Sequence, residues 1–208
     1  MPQRPVADDL TDAQLARSCR FAILDGSVTA KATYQATGQT AGQTAGQTAA
    51  DIPAAHTPGC GYAVFPDPVL AHCNEPLAPG SADLRGVWVD STNPFGHLER
   101  IEQCGDRVTI TAGHVVHDMH TDGTYAHGVN DVAALDCSAI MVKAEFIDGR
   151  HTLSPRGLPF TVTRHLEGNT LVWTYPNGVY RLARLCGPAT GIDPVLRAAL
   201  RRAAPTRR

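Results

Sequence analysis

The chain has no stretch approaching the ~18 consecutive apolar residues that a membrane-spanning helix needs, so no such span is predicted. Charge is sparse as well. Charged residues make up 18% of the 208, and the net charge is −2, which excludes a surface built throughout for nucleic acid. Several chemical signatures are missing: no Cys-x-x-Cys for a zinc ribbon or thioredoxin-type site, no Gly-x-Ser-x-Gly, no phosphate-binding glycine loop and no dinucleotide fingerprint. The only cysteine beside a histidine is in His72-Cys73, within a Pro-rich segment, and is weak ground for nucleophilic catalysis. No apolar stretch follows Met1-Pro2-Gln3-Arg4-Pro5. That predicts no secretory leader and a reducing, cytoplasmic setting, with Cys19, Cys60, Cys73, Cys104, Cys137 and Cys186 as free thiols. Were the protein exported, Cys60 and Cys73 lie near enough in sequence to pair. Neither a cofactor nor a metal is expected.

What is present is enough apolar material for one core, 43% of the residues, distributed unevenly. Thr11 and Gln14 form a capping box before Leu15, Cys19 and Ile23 at helical spacing, predicting a helix over Asp12–Leu24 within an N-terminal segment 1–26. Residues 27–52 include the Gly-Gln-Thr-Ala repeats of Thr37–Ala49, too polar to repay their ordering, and read as a flexible linker. A Pro/Gly-rich lead-in, 53–83, carries the apolar pieces Tyr62–Phe65 and Val69-Leu70, which predict that it packs on the following domain.

From 84 to 186 the hydrophobic period is two. Ile140, Val142, Ala144 and Phe146 alternate with Met141, Lys143 and Glu145, and Leu171, Trp173 and Tyr175 alternate with Thr170, Val172 and Thr174. Turn residues at Asp122-Gly123, Asp148-Gly149, Glu167-Gly168-Asn169 and Asn177-Gly178 divide the stretch into about eight short strands. A meander of this length closes into an all-β, antiparallel up-and-down barrel, because closure removes its edges, and such a barrel can hold one small ligand. Asp193-Pro194 starts a short C-terminal helix that runs into a basic tail, 187–208.

The candidate chemistry gathers in His114–Asp122. On one strand, His114, Asp118 and His120 share a face, but six residues put the outer two ~20 Å apart, too far to ligate one ion. Asp118 with His120 is the only local pair. His117 shares its face with Val115 and Met119. A polar ring there needs a partner in the core or on a ligand, so His117 is the first candidate for ligand contact or proton transfer. Glu99, Arg100 and Glu102 place charges on both faces of one strand. Either Arg100 or the Glu99 side then joins a polar network inside the barrel, or all three form an exposed ladder. Arg100 and Glu102 are taken as ligand-binding candidates. Lys143 and Glu145 line the cavity if the apolar face Ile140–Phe146 looks outward.

Gly86-Val87-Trp88 at the head of the meander resembles the Gly-x-Trp opening of the calycin superfamily (lipocalins, fatty-acid-binding proteins and avidins). The resemblance covers about half of the chain. It implies a calycin-like barrel in which Trp88 packs at the closed end beneath Arg181 or Arg184, with Arg181 taken beside Gly86 and Trp88 as the structural signature. It also implies that internal Arg and Tyr side chains, here Arg100, Arg164, Tyr125 and Tyr175, hold a ligand carboxylate. The expected function is binding of one small, mainly apolar molecule. The alternative is a cyclase or isomerase in the same cavity, with His117 moving a proton.

Overall fold

The computed structural model describes residues 10–24, 47–90 and 97–203. Residues 25–46, which include most of the repeat tract Thr37–Ala49, lie outside the described residues. Ten strands form one sheet: β1 (Gly86–Val89), β2 (Leu98–Cys104), β3 (Arg107–Ala112), β4 (Val115–His120), β5 (Val129–Val132), β6 (Ala139–Ile147), β7 (Arg150–Pro155), β8 (Val162–Glu167), β9 (Thr170–Tyr175) and β10 (Gly178–Cys186). All pairings are antiparallel between chain neighbours, and β1 joins β10, so the meander curls into a ring. The count is ten rather than about eight, because the His-rich stretch is a hairpin arm of its own and the short β5 follows it. The ring stays open between β4 and β5, where no strand ladder forms; one backbone bond, from His120 N to His127 O at 2.8 Å, crosses this seam.

The inward face carries Trp88, Ile101, Val108, Ile110, Met119, Val142, Ala144, Leu171 and Leu182, all buried in one cluster. Gly86 explains its own identity: a Cβ there would stand 2.9 Å from the Trp88 Nε1, so only glycine leaves the indole its place. Trp88 is fully buried and donates from Nε1 to the Leu84 carbonyl oxygen at 3.0 Å. Of the two arginines on the last strand, Arg184 covers it, with Cζ 4.4 Å from the ring centroid. Arg181 instead pairs with Glu167 on the surface.

A helix α1 (Asp12–Ser18) and the chain from 47 to 82 wrap the outer wall of the barrel. α1 stops well before Leu24. The Ala22 carbonyl is taken by Arg85 Nη1 at 2.7 Å rather than by a helical amide, and Ile23 turns to solvent. Residues 47–52, assigned above to the linker, belong to this wrapping segment: Gln47 bridges to Cys73, and Ala49 is buried.

The thiol expectation is overturned. Cys19–Cys186, Cys60–Cys137 and Cys73–Cys104 are disulfides, and no cysteine is free. Cys60 and Cys73 are not partners. Each bridge joins one N-terminal cysteine to one barrel cysteine, so sequence proximity could not reveal the pairing; only the wrapping brings the partners together. A second helix, α2 (Pro194–Ala203), is capped by the Asp193 carboxylate, which accepts from the amides of Val195 and Leu196. No helix among the described residues is long and apolar enough to cross a membrane.

Candidate functional site

Barrel register sets a row of side chains across adjacent strands. Phe146 on β6 pairs with His151 on β7, His151 with Arg164 on β8, Arg164 with Trp173 on β9, and Trp173 with Tyr180 on β10. Partners in register put their side chains on the same face, here the inner one. Across the interior, Glu99 of β2 receives Arg164 as a bidentate pair, Nε to Oε1 at 2.9 Å and Nη2 to Oε2 at 2.8 Å. His97 closes the cluster: its Nε2 lies 2.8 Å from Glu99 Oε2, and its ring stacks on Trp173 at 4.2 Å. Burial alone would raise the Glu99 carboxyl, but Arg164 and His97 together outweigh it and hold the group well below the usual carboxylate range.

The cluster is incompletely satisfied. Arg164 Nη1, the Trp173 Nε1 and both ring nitrogens of His151 are buried without a hydrogen-bond partner. Burial, then the nearby Arg164 charge, pulls His151 down from 6.5 to about 3, against a smaller opposing pull from Glu99, so the ring is neutral at ordinary pH. Each unsatisfied buried polar group costs roughly 1–3 kcal/mol, and native interiors leave few of them. Arg164, Trp173 and His151 place three such groups in one row. Trp173, Tyr175, Tyr180 and Phe160 pack against the inner cluster while remaining only partly buried, and Phe160 sits 6.5 Å from Tyr175 ring to ring.

Most of the residues singled out from the sequence lie elsewhere. Arg100 and Glu102 are on the outer face of β2, beneath the lead-in. Arg100 bonds the carbonyls of Pro66 and Asp67, and Glu102 accepts the amides of Val69 and Leu70. Of the three charged residues on this strand, Glu99 is the one that enters the barrel. The apolar face Ile140–Phe146 looks inward, which turns Lys143 and Glu145 outward, where they pair at 3.0 Å. Tyr125 sits in the β4–β5 connection under Arg156, 5.8 Å from its ring. Tyr175 alone of that set reaches the aromatic end of the row, 5.4 Å from Trp173.

His117 shares the inward face with Met119, but its Nε2 lies 3.0 Å from the Val132 carbonyl, which only accepts, so this nitrogen carries the proton. Burial lowers its pKa, opposed by that bond. The ring ties β4 to β5. Asp118 and His120 do not meet: Asp118 is held by Arg107 at 2.6 Å, and His120 by Asp106 at 2.9 Å. His114 lies in the β3–β4 turn, with Nδ1 2.7 Å from the Tyr62 carbonyl.

Sequence reasoning ranked His151 and Trp173 nowhere, and named Arg164 only by analogy. The signal was available: Arg164 between Val162 and Leu166, and His151 two before Leu153, are polar residues on apolar faces, the criterion that had been applied to His117. Comparison with protein-family profiles, curated proteins and solved structures finds no match.

Proposed function

We propose that this protein binds one small, mainly apolar molecule inside its barrel, with an oxygen-bearing head, a carboxylate or a carbonyl, seated against Arg164, His151 and Trp173. The observation that carries this reading is the set of buried, partnerless donors on Arg164 Nη1, Trp173 Nε1 and the His151 ring. Donors outnumber acceptors there, so the complementary group is an acceptor oxygen. The aromatic end formed by Phe160, Tyr175 and Tyr180 suits an apolar body. The Gly86–Trp88–Arg184 arrangement at the base fits the calycin resemblance. Binding is favoured over cyclase or isomerase chemistry. His117 is occupied by a backbone carbonyl, and a His151 ring with its pKa near 3 is a poor base at neutral pH, whereas it hydrogen-bonds well in its neutral form. Three disulfides support an oxidising compartment rather than the cytoplasm.

The test is titration with 1-anilinonaphthalene-8-sulfonate followed by displacement with dodecanoate and its methyl ester. One saturable site per chain, displaced by either ligand and weakened at least tenfold in the Glu99→Leu/Arg164→Met double variant, is the expected result. Absence of a saturable site, or binding indifferent to the double variant, contradicts the reading. Preference for the acid over the ester identifies the head as a carboxylate.

A further inference from the structure

The seam between β4 and β5 holds a second constellation, independent of the barrel interior. His120 ends β4 and His127 precedes β5, and the backbone bond from His120 N to His127 O sets the two residues face to face. Their ring centroids lie 6.0 Å apart, with the ring planes inclined at 66°. Each ring is oriented by its own carboxylate through Nδ1: His120 by Asp106 Oδ1 at 2.9 Å, and His127 by Asp122 Oδ2 at 2.6 Å. Asp122 is itself braced by the Thr124 amide and hydroxyl on its other oxygen. This leaves both Nε2 atoms available. Both histidines line one cleft of about 320 Å³, with His56 from the lead-in and Asn130 also on its wall.

A carboxylate on the far nitrogen is the arrangement that fixes the tautomer of a metal-ligating histidine and raises its basicity. An ion about 2.1 Å from a ring nitrogen lies about 3.2 Å from that ring's centre, so two rings sharing it tetrahedrally stand about 5 Å apart. Both side chains are open to solvent, 40% exposed for His120 and 63% for His127, which leaves the rings room to close that difference. Imidazole donors select zinc or copper over the oxygen-seeking magnesium and calcium. We propose that His120 and His127 bind a divalent transition ion, Zn²⁺ or Cu²⁺, with Asp106 and Asp122 as positioning residues and His56, on the wall of the same cleft, as a further donor. The ion then staples the one place where the barrel lacks a strand ladder. Strand geometry rules out His114 with His120, but it does not bear on His120 with His127, which meet across the seam rather than along a strand.

The test is calorimetric titration of the full, oxidised chain with ZnCl₂, in which disulfide bonding removes thiols as competitors, alongside thermal melting with and without the ion. One ion per chain and a raised melting temperature are expected. His120→Gln and His127→Gln should each weaken binding at least tenfold, and Asp122→Asn by 10- to 100-fold with the fold intact. His165→Gln, a histidine on the opposite part of the sheet, should leave the affinity unchanged. No binding, or binding that survives His120→Gln with His127→Gln, overturns the assignment. Should either glutamine variant melt early without the ion, Co²⁺ absorption of the Asp122→Asn chain supplies the decision: a weakened but tetrahedral visible band supports the site, and an unchanged titration overturns it.

Discussion

The barrel wall carries buried arginines on both of its faces, and they are treated in opposite ways. On the outside, Arg100 donates to Glu102, Ser18, Pro66, Asp67 and Thr111, and Arg107 donates to Ala49, Ile52, Pro53 and twice to Asp118. A guanidinium has five N–H groups, so both are saturated. On the inside, Arg164 makes only its two bonds to Glu99 and leaves Nη1 bare. The difference separates two roles. The outer arginines supply donors to an irregular, Pro-rich backbone that has no sheet to pair with, and they hold it on the wall. The inner one is over-provided for the chain's needs.

If that contrast is right, removing each ion pair should have unequal consequences. Arg107→Met/Asp118→Leu removes the pair and strands the carbonyls of Ala49, Ile52 and Pro53 and the Ala55 amide, and should cost about 5 kcal/mol in denaturant unfolding. Glu99→Leu/Arg164→Met replaces a buried pair that holds only itself and His97, and should stay within about 1 kcal/mol of the parent. Equal losses would erase the distinction. Next in size, Cys73→Ser/Cys104→Ser opens a loop whose ends are 31 residues apart, and loop entropy puts the cost at about 4 kcal/mol. Hydrogen exchange should then rise across the lead-in while the inner strands stay protected.

The inner network should also register in pH. His151 has a folded pKa of about 3 against an ordinary 6.5, so the unfolded chain takes up its proton first. Stability is therefore full above about 6.5 and falls as pH drops toward 3, with Glu99, also lowered, adding to the loss below 4.5. Between pH 7 and 4 the His151 share is about 3 kcal/mol. His151→Phe should flatten that slope, as chemical denaturation at stepped pH would detect. Smaller than the disulfide and pH effects, Gly86→Ala should cost about 2 kcal/mol by pushing the Trp88 indole from its place, without touching the lead-in.

The meander, its turns and the Gly86–Trp88 opening were legible because period-two alternation and positive-φ turn residues are local signals; Gly149, for example, takes φ +73° after Asp148 at +50°. The direction of the faces was half legible. The charges of Glu99, Arg100 and Glu102 on both faces of one strand left open which side enters the barrel and whether all three form an exposed ladder; both faces of β2 prove to be covered. The outer covering comes from residues 47–82, 16 to 51 residues upstream of Leu98, of which 47–52 were read as linker and the rest as a lead-in packing on the barrel, with no local signal for which strand it covers. The disulfides failed for the same reason. His151, Arg164 and Trp173 became one site only through register across β7, β8 and β9, which no spacing along the chain encodes.

The two tryptophans provide the most direct test, because they are the two regions of the barrel in miniature. Trp88 donates to Leu84, and Trp173 donates to nothing. In ¹H–¹⁵N spectra of the protein titrated with dodecanoate, the Trp173 indole signal should shift and saturate at one equivalent while the Trp88 indole stays in place. Both signals unmoved, or Trp88 shifting in place of Trp173, would contradict the assignment of the inner row as the binding site.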